Sequence, residues 1–215
     1  MRFGVLGTGM VGATIGTKLV ELGHEVKMGS REAGNEKAAA WVEAAGGGAS
    51  EGSFADAGSF GEVVFNCTAG MHSLDALEAA GEENLAGKIL VDVANPLDFS
   101  RGMPPNLSVC NTDSLGEQIQ RAFPDAKVVK TLNTMNAVVM TEPVGGEVFV
   151  CGDDAGAKRE VTALLESFGW PAEHVVDLGG ISAARGTEMY LPLWLSLYGA
   201  LGTGQFNIAV AGRTT

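Results

Sequence analysis

Basic residues are scarce in this chain: 14 Lys and Arg stand against 26 Asp and Glu, a formal net charge of −12 over 215 residues. That balance argues against nucleic-acid binding, whose affinity rests on a basic footprint over phosphates, and it disfavours docking on anionic lipid. Cysteine is nearly absent too. Cys67, Cys110 and Cys151 are widely spaced, form no C-x-x-C pair and do not cluster with His24, His72 or His174. No metal site and no disulfide framework is expected, and free thiols suit a reducing cytoplasm. Long hydrophobic runs are missing as well. Met189 to Gly212 carries no charge, yet Pro192, Gly199, Gly202, Gly204, Gln205 and Asn207 interrupt it. Its dense part, Met189 to Leu201, is too short to cross a bilayer of ~30 Å, so a buried or interface helix is expected and no membrane contact. Met1-Arg2-Phe3 runs straight into a strand, without the pattern of a secretory leader.

What is present is a foldable core and an alternating pattern. Apolar residues make up 46% and charged ones 19%, enough to sustain a globular domain without staples. Arg2 to Leu6 reads as a buried strand, Met10 to Leu22 as a helix stopped by Gly23, and Glu25 to Met28 as a second strand. Glu36 to Ala45 reads as a helix, and 49–61 fits a short strand with one helical turn. Val63 to Asn66 and Ile89 to Asp92 read as strands around a helix over Ser73 to Ala80. Ser114 and Glu117 have the form of a capping box for a helix to about Phe123. Val128-Val129, Val148 to Val150 and Val175-Val176 are further strands, and Asp153 or Asp154 caps a helix to Phe168. Strands alternating with helices over the first 130 residues demand a parallel sheet covered on both faces. The expected fold is α/β, a Rossmann-type doubly wound parallel sheet over 1–180, with a small helical C-terminal segment over 181–215. No linker, repeat or low-complexity tract interrupts it.

The motif that carries chemistry is Gly7-Thr8-Gly9-Met10-Val11-Gly12, a G-x-G-x-x-G directly after a strand and opening a helix. Gly7 permits the tight turn, Gly9 lets backbone approach a pyrophosphate, and Gly12 lets helix pack on strand. The free N–H groups of the first helical turn then face the anion. NAD sites usually end the second strand in Asp or Glu, to hold the ribose 2′-hydroxyl. Here the chain has Gly29-Ser30-Arg31, and a guanidinium forks onto phosphate rather than accepting from a hydroxyl. The reading is NADP. Glu32 follows and would bring a carboxylate within reach on a one-residue shift, while Lys37 either adds charge at the adenine end or is solvated.

The glycine loop, Gly29-Ser30-Arg31, His72-Ser73-Leu74-Asp75, Val128 to Thr134 and Val150-Cys151-Gly152-Asp153-Asp154 together resemble the NADPH-dependent coenzyme F420 reductases over nearly the whole length. They are similar also to the related soluble NADPH domain of membrane ferric reductases. The resemblance implies a homodimer that passes hydride between NADP(H) and a flavin-like acceptor. By position it implies that Thr8, Ser30 and Arg31 hold the 2′-phosphate. It implies that Cys67, Thr68 and Ala69 line ribose and pyrophosphate, that Ala94, Asn95 and Pro96 approach the nicotinamide, and that Asn133, Thr134, Met135 and Asn136 form the acceptor side. F420 reductases carry His-Thr-Ile-Pro at these last four positions. The Asn-Thr form resembles the ferric reductase branch, whose partner is ordinary flavin, so the acceptor stays open between F420 and a flavin. No catalytic nucleophile or acid–base group is assigned.

Simpler roles stand beside these. His72 either touches cofactor or caps the helix at Ser73, Asn133 and Asn136 are residues that turns favour, and Cys67 is a small packed side chain. Trp41, Trp170 and Trp194 suit a core or an interface. Two other functions fit the same loop. Imine and hydroxy-acid reductases share it but need a large helical second domain, and about 35 residues follow Gly180. An NADP-sensing module that docks a protein through the apolar tail would bind without turnover.

Overall fold

The computed structural model describes residues 1–212. The glycine-loop unit leads: β1 (Arg2–Leu6), α1 (Met10–Glu21) and β2 (Glu25–Ser30), followed by α2 (Glu36–Ala45), β3 (Ala49–Ser53), α3 (Phe54–Phe60) and β4 (Val63–Asn66). A 3₁₀ turn at Gly70–His72 runs into α4 (Ser73–Ala80), then α5 (Glu82–Leu85) and β5 (Ile89–Asp92). The rest is a two-residue ladder of β6 (Leu97–Asp98) with β7 (Asn106–Leu107), then α6 (Leu115–Ala122), β8 (Lys127–Thr131), α7 (Ala137–Thr141), β9 (Val148–Cys151), α8 (Ala155–Ser167), β10 (Val175–Asp177), α9 (Ala184–Met189) and α10 (Leu191–Leu201).

The large sheet has the order β10-β9-β8-β5-β4-β1-β2-β3. From β3 to β8 all neighbours pair in parallel, and the order reverses between β1 and β4. That reversal opens a crevice beyond the carboxyl ends of the strands, where such sheets bind ligands. The expectation of a parallel sheet needs one amendment. β9 runs antiparallel to β8, and β10 follows β9. A parallel return requires a crossover along the sheet. The five-residue α7 is about 7 Å long, against about 17 Å for the five-residue β8, so the chain re-enters from the end where it left.

Two cores cover the sheet. One face packs Ile15 and Leu19 of α1, Trp41 of α2 and Val161 and Leu165 of α8 on Phe3, Val5 and Val129. The other packs α3, α4 and α6 on Leu6, Val64, Leu90 and Val128. Each fully buried large apolar side chain contributes roughly 1.5–3 kcal/mol. The buried Trp41 indole donates to the Thr17 hydroxyl at 3.0 Å. Trp170 is fully buried and donates to the Met140 carbonyl at 3.0 Å.

Local details refine the sequence reading. Residues 49–61 form a strand and a seven-residue helix whose capping box is Ser53 with Asp56. At α6, Ser114 caps by accepting from the Glu117 N–H, but the Glu117 carboxylate takes the Ser114 hydroxyl and the Arg185 guanidinium instead of completing the box. Asp154 caps α8, while Asp153 accepts from the Ile181 N–H. The apolar tail is two helices, α9 against α6 and α10 largely exposed. Among the described residues no helix is long and apolar enough to cross a membrane.

Candidate active site

The glycine loop sits at the topological switch, and each glycine answers to a different neighbour. Gly7 has φ +113°, and a Cβ there would stand 2.8 Å from the Cys67 carbonyl oxygen. A Cβ on Gly12 would fall onto the Gly7 carbonyl oxygen, so the helix packs on the loop only without one. Gly9 faces open space, with nothing within 4 Å of where its Cβ would be. It is also the N-cap of α1 and has no side chain to cap with, and no acidic residue occupies the first turn. The exposed N–H groups there are left for an anion.

From this loop a cleft of about 790 Å³ runs over Gly7, Thr8 and Gly9 to Ser30, Arg31, Glu32 and Asn35, and Phe54, Asp75, Ala76 and Ala79 also line it. Arg31 is exposed at the tip of β2 and, among the described residues, is the one Lys or Arg on this lining. Ser30 is buried and its hydroxyl donates to the Glu32 carbonyl, fixing the bend that presents Arg31. Asn35 caps α2 by accepting from Lys37 and Ala38.

A second cleft of about 500 Å³ adjoins the first. Cys67, Thr68, Ala69 and His72 line both. The second is walled by Val11, Met71, Val93, Ala94, Leu97, Phe99, Met135 and Met140, with Asn95 and Asp98 among its polar members. Nicotinamide-sized and flavin-sized rings suit such an apolar slot.

Beneath the shared floor lies a buried polar chain. Asn66 donates to Ser73 at 3.1 Å and to Asp92 at 2.9 Å, and accepts from the Thr68 hydroxyl at 2.7 Å. Asp92 accepts from the Ala94 N–H and, at 2.8 Å, from Lys130, which also donates to the Ala94 carbonyl. Lys130 lies 2.8 Å from Glu188 of α9, and Glu188 accepts the N–H groups of Leu115 and Gly116 at the start of α6. Asp92, Lys130 and Glu188 are all at most 1% exposed. Burial pushes the Lys130 ammonium down, but Asp92 and then Glu188 outweigh it and hold it above its usual range. Two carboxylates face one ammonium, and the N-terminal dipole of α6 offsets the excess.

The acceptor-side residues divide. Asn133 and Asn95 exchange side-chain bonds, Asn95 to the Asn133 carbonyl at 2.8 Å and Asn133 to the Asn95 amide oxygen at 2.9 Å. The preceding Leu132 is held at φ +61°, a strained conformation for a buried leucine. Asn136 caps α7 by accepting from the Val138 N–H. Of the sequence-predicted residues, Gly7, Thr8, Gly9, Val11, Ser30, Arg31, Cys67, Thr68, Ala69, Ala94, Asn95 and Met135 line the two clefts. Met10, Gly12, Pro96, Asn133, Thr134 and Asn136 do not; nor does Lys37. His72 faces both clefts and makes no side-chain cap to α4. The Cys67 thiol is pushed far up by burial and then by Asp92, which makes it inert.

Sequence reading missed Asn35, Phe54, Asp75, Phe99 and Met140 on the linings, and the Asn66–Asp92–Lys130–Glu188 chain below them. A signal existed for part of the chain: Asn66, Asp92 and Lys130 are polar residues in otherwise apolar strand sequences. A polar residue kept in a doubly covered strand needs partners.

Comparison with known proteins fits this geometry. The family described as NADP oxidoreductase, coenzyme F420-dependent, matches residues 2–96. The F420-dependent NADP reductase of Methanocaldococcus jannaschii is 31% identical over 156 residues, 69% of this chain and 69% of that protein. Metalloreductase STEAP3 of Rattus norvegicus is 31% identical over 201 residues, which is 90% of this chain but only 38% of the relative's own length. A crystal structure from Arthrobacter sp. FB24, provisionally named an F420-dependent NADP-reductase, is 54% identical, with a TM-score of 0.93, and the match covers 98% of this chain and 99% of that one. An imine reductase of Streptomyces aurantiacus has a TM-score of 0.65 at 18% identity and is matched over 63% of its length, a likeness of fold alone.

Proposed function

The chain belongs to the family of F420-dependent NADP oxidoreductases, and from that premise we propose that it transfers hydride between NADP(H) in the glycine-loop cleft and a deazaflavin, coenzyme F420, or a flavin in the apolar cleft. The observation that carries this reading is the shared floor: Cys67, Thr68, Ala69 and His72 border both spaces, so ligands in the two clefts meet there. NADPH, when bound, supplies the hydride. The chain's own residues bind and orient. The first turn of α1 takes the pyrophosphate side, and Thr8 and Arg31 take the 2′-phosphate, with Ser30 fixing the bend that presents Arg31. Gly9 fits the group because only a residue without a side chain leaves that approach open. Met71, Phe99, Met135 and Met140 exclude water from the acceptor slot. Hydride transfer between stacked rings needs closeness and dryness more than acid–base groups, so no catalytic side chain is assigned.

Homodimerisation belongs to the same proposal. Leu193, Tyr198 and Leu201 of α10 are 57%, 48% and 57% exposed, an apolar face that a second copy would cover. The same face also favours the reading of an NADP sensor that docks another protein. Turnover separates the two. NADPH oxidation is followed at 340 nm with F420, FMN, FAD and riboflavin in parallel. Oxidation with any of them supports the reductase, and which one names the acceptor. Tight NADPH binding without oxidation by any of the four leaves the sensor. Arg31→Asp is expected to reverse the preference for NADPH over NADH, and an unchanged preference removes Arg31 from the site.

A further inference from the structure

The lining of the dinucleotide cleft includes a carboxylate on α4 that phosphate binding does not explain. Asp75 lies in the first turn of α4 and lines the cleft beside Phe54, Ala76 and Ala79. Among the described residues it has no hydrogen-bond or ion-pair partner. An exposed acid facing a polyanionic ligand weakens binding unless a donor on that ligand meets it.

The other polar groups of the cleft have their own tasks. Asn35 is committed to capping α2, Ser30 to the Glu32 carbonyl, and Thr68 to Asn66 and Ser73. Arg31 is the cation for phosphate, and His72 stands at the junction of the two clefts. Glu32 shares the β2 tip with Arg31. That leaves Asp75, carried by α4 rather than by the β2 tip, and lining the cleft together with the apolar Phe54, Ala76 and Ala79, surfaces that would flank a flat base. Of the purine edges, adenine presents a neutral N–H₂ donor where hypoxanthine presents a carbonyl oxygen.

Building on the NADP reading, we infer that Asp75 is the specificity residue that accepts from the exocyclic amine of the adenine ring and so selects adenine over other purines. A site built to bond a donor rejects the analogue that lacks it, because its acceptor is left unpaired or facing another acceptor. Charge-assisted bonds of this kind discriminate by roughly ten-fold or more.

The test uses nicotinamide fluorescence to titrate the protein with NADPH and with its hypoxanthine analogue, deamino-NADPH. The wild type is expected to bind NADPH about ten-fold more tightly than the analogue. Asp75→Ala is expected to weaken NADPH, leave the analogue no weaker, and bring the two within about two-fold. Thermal midpoints are measured alongside, since a first-turn carboxylate also favours its helix dipole. A variant with a lower midpoint and an undiminished preference for NADPH would assign Asp75 to the helix and overturn the inference. Equal wild-type affinities overturn the inference alone and leave the NADP reading standing. Failure of the wild type to bind either dinucleotide overturns both.

Discussion

Replacing Lys130 by methionine removes the cation that Asp92 and Glu188 share. The ammonium and the Asp92 carboxylate are 0% exposed, and the Glu188 carboxylate is 1% exposed, with both oxygens 2.8 Å from the nitrogen. Methionine fills similar volume, so the effect is electrostatic rather than a cavity. Two buried carboxylates then face each other without a cation, keeping only their neutral N–H donors, and the Ala94 carbonyl loses its donor. Stripping one partner from a buried ion pair costs about 3–5 kcal/mol. At about 2–4 °C per kcal/mol for a chain of this size, the thermal midpoint should fall by roughly 6–20 °C. Adding Glu188→Gln to Lys130→Met removes one orphaned charge and should recover about 1 kcal/mol or more, a coupling that a double-mutant cycle measures. Differential scanning calorimetry at pH 7 is the assay. A Lys130→Met midpoint within 2 °C of wild type, or strict additivity of the two changes, would refute the reasoning.

The glycines offer a contrast. Gly9→Ala should leave the midpoint within about 2 °C yet weaken NADPH about ten-fold, because its Cβ meets only ligand space. Gly12→Ala should destabilise by about 2 kcal/mol or more, because its Cβ meets the Gly7 carbonyl. Thermal melts with and without NADPH check both, and loss of stability in the first or none in the second contradicts the packing described. Glu117 is held below its usual range by its bonds to Arg185, against the opposing effect of burial. A depressed folded pKa means stability present above the ordinary Glu range and lost as pH falls through the lower folded value. Arg185→Ala should therefore flatten the acid limb of the midpoint-against-pH curve below about pH 4.5, and an unchanged limb would break the assignment. Burial pushes the Cys151 thiol up to about 12 and Cys67 higher still, whereas Cys110 is half-buried. Iodoacetamide at pH 8 should label Cys110 alone in the native protein, as read by intact-mass spectrometry, and early labelling of Cys67 or Cys151 would contradict their burial.

The phosphate loop was legible because its logic is local. A strand, a turn that needs a left-handed residue at Gly7, a helix that tolerates no Cβ at Gly12: each requirement falls within about ten residues, and each leaves a glycine behind. The same holds for Arg31, which a short strand delivers to a tip, and for Asp154, which caps a helix that begins beside it. Met10 shows the limit even there, since it lies in the motif yet points to solvent at 70% exposure.

The acceptor side was less legible because its residues meet across long separations. Asn133 and Asn95 spend their amides on each other over 38 positions. Asn136 turns into a helix cap. Phe99 and Met140 enter the slot from a two-residue ladder and a five-residue helix that leave little periodic trace.

The sequence alone settled the sheet's parallel half, its helical cover and the nucleotide loop, since alternating apolar strands and glycine spacing have few physical solutions. The tertiary structure decided the rest. It reversed β9, folded α9 back so that Glu188 reached Lys130, and set two clefts on one floor. Those outcomes depend on which buried charges and surfaces must find partners across the whole chain, and no local pattern encodes that.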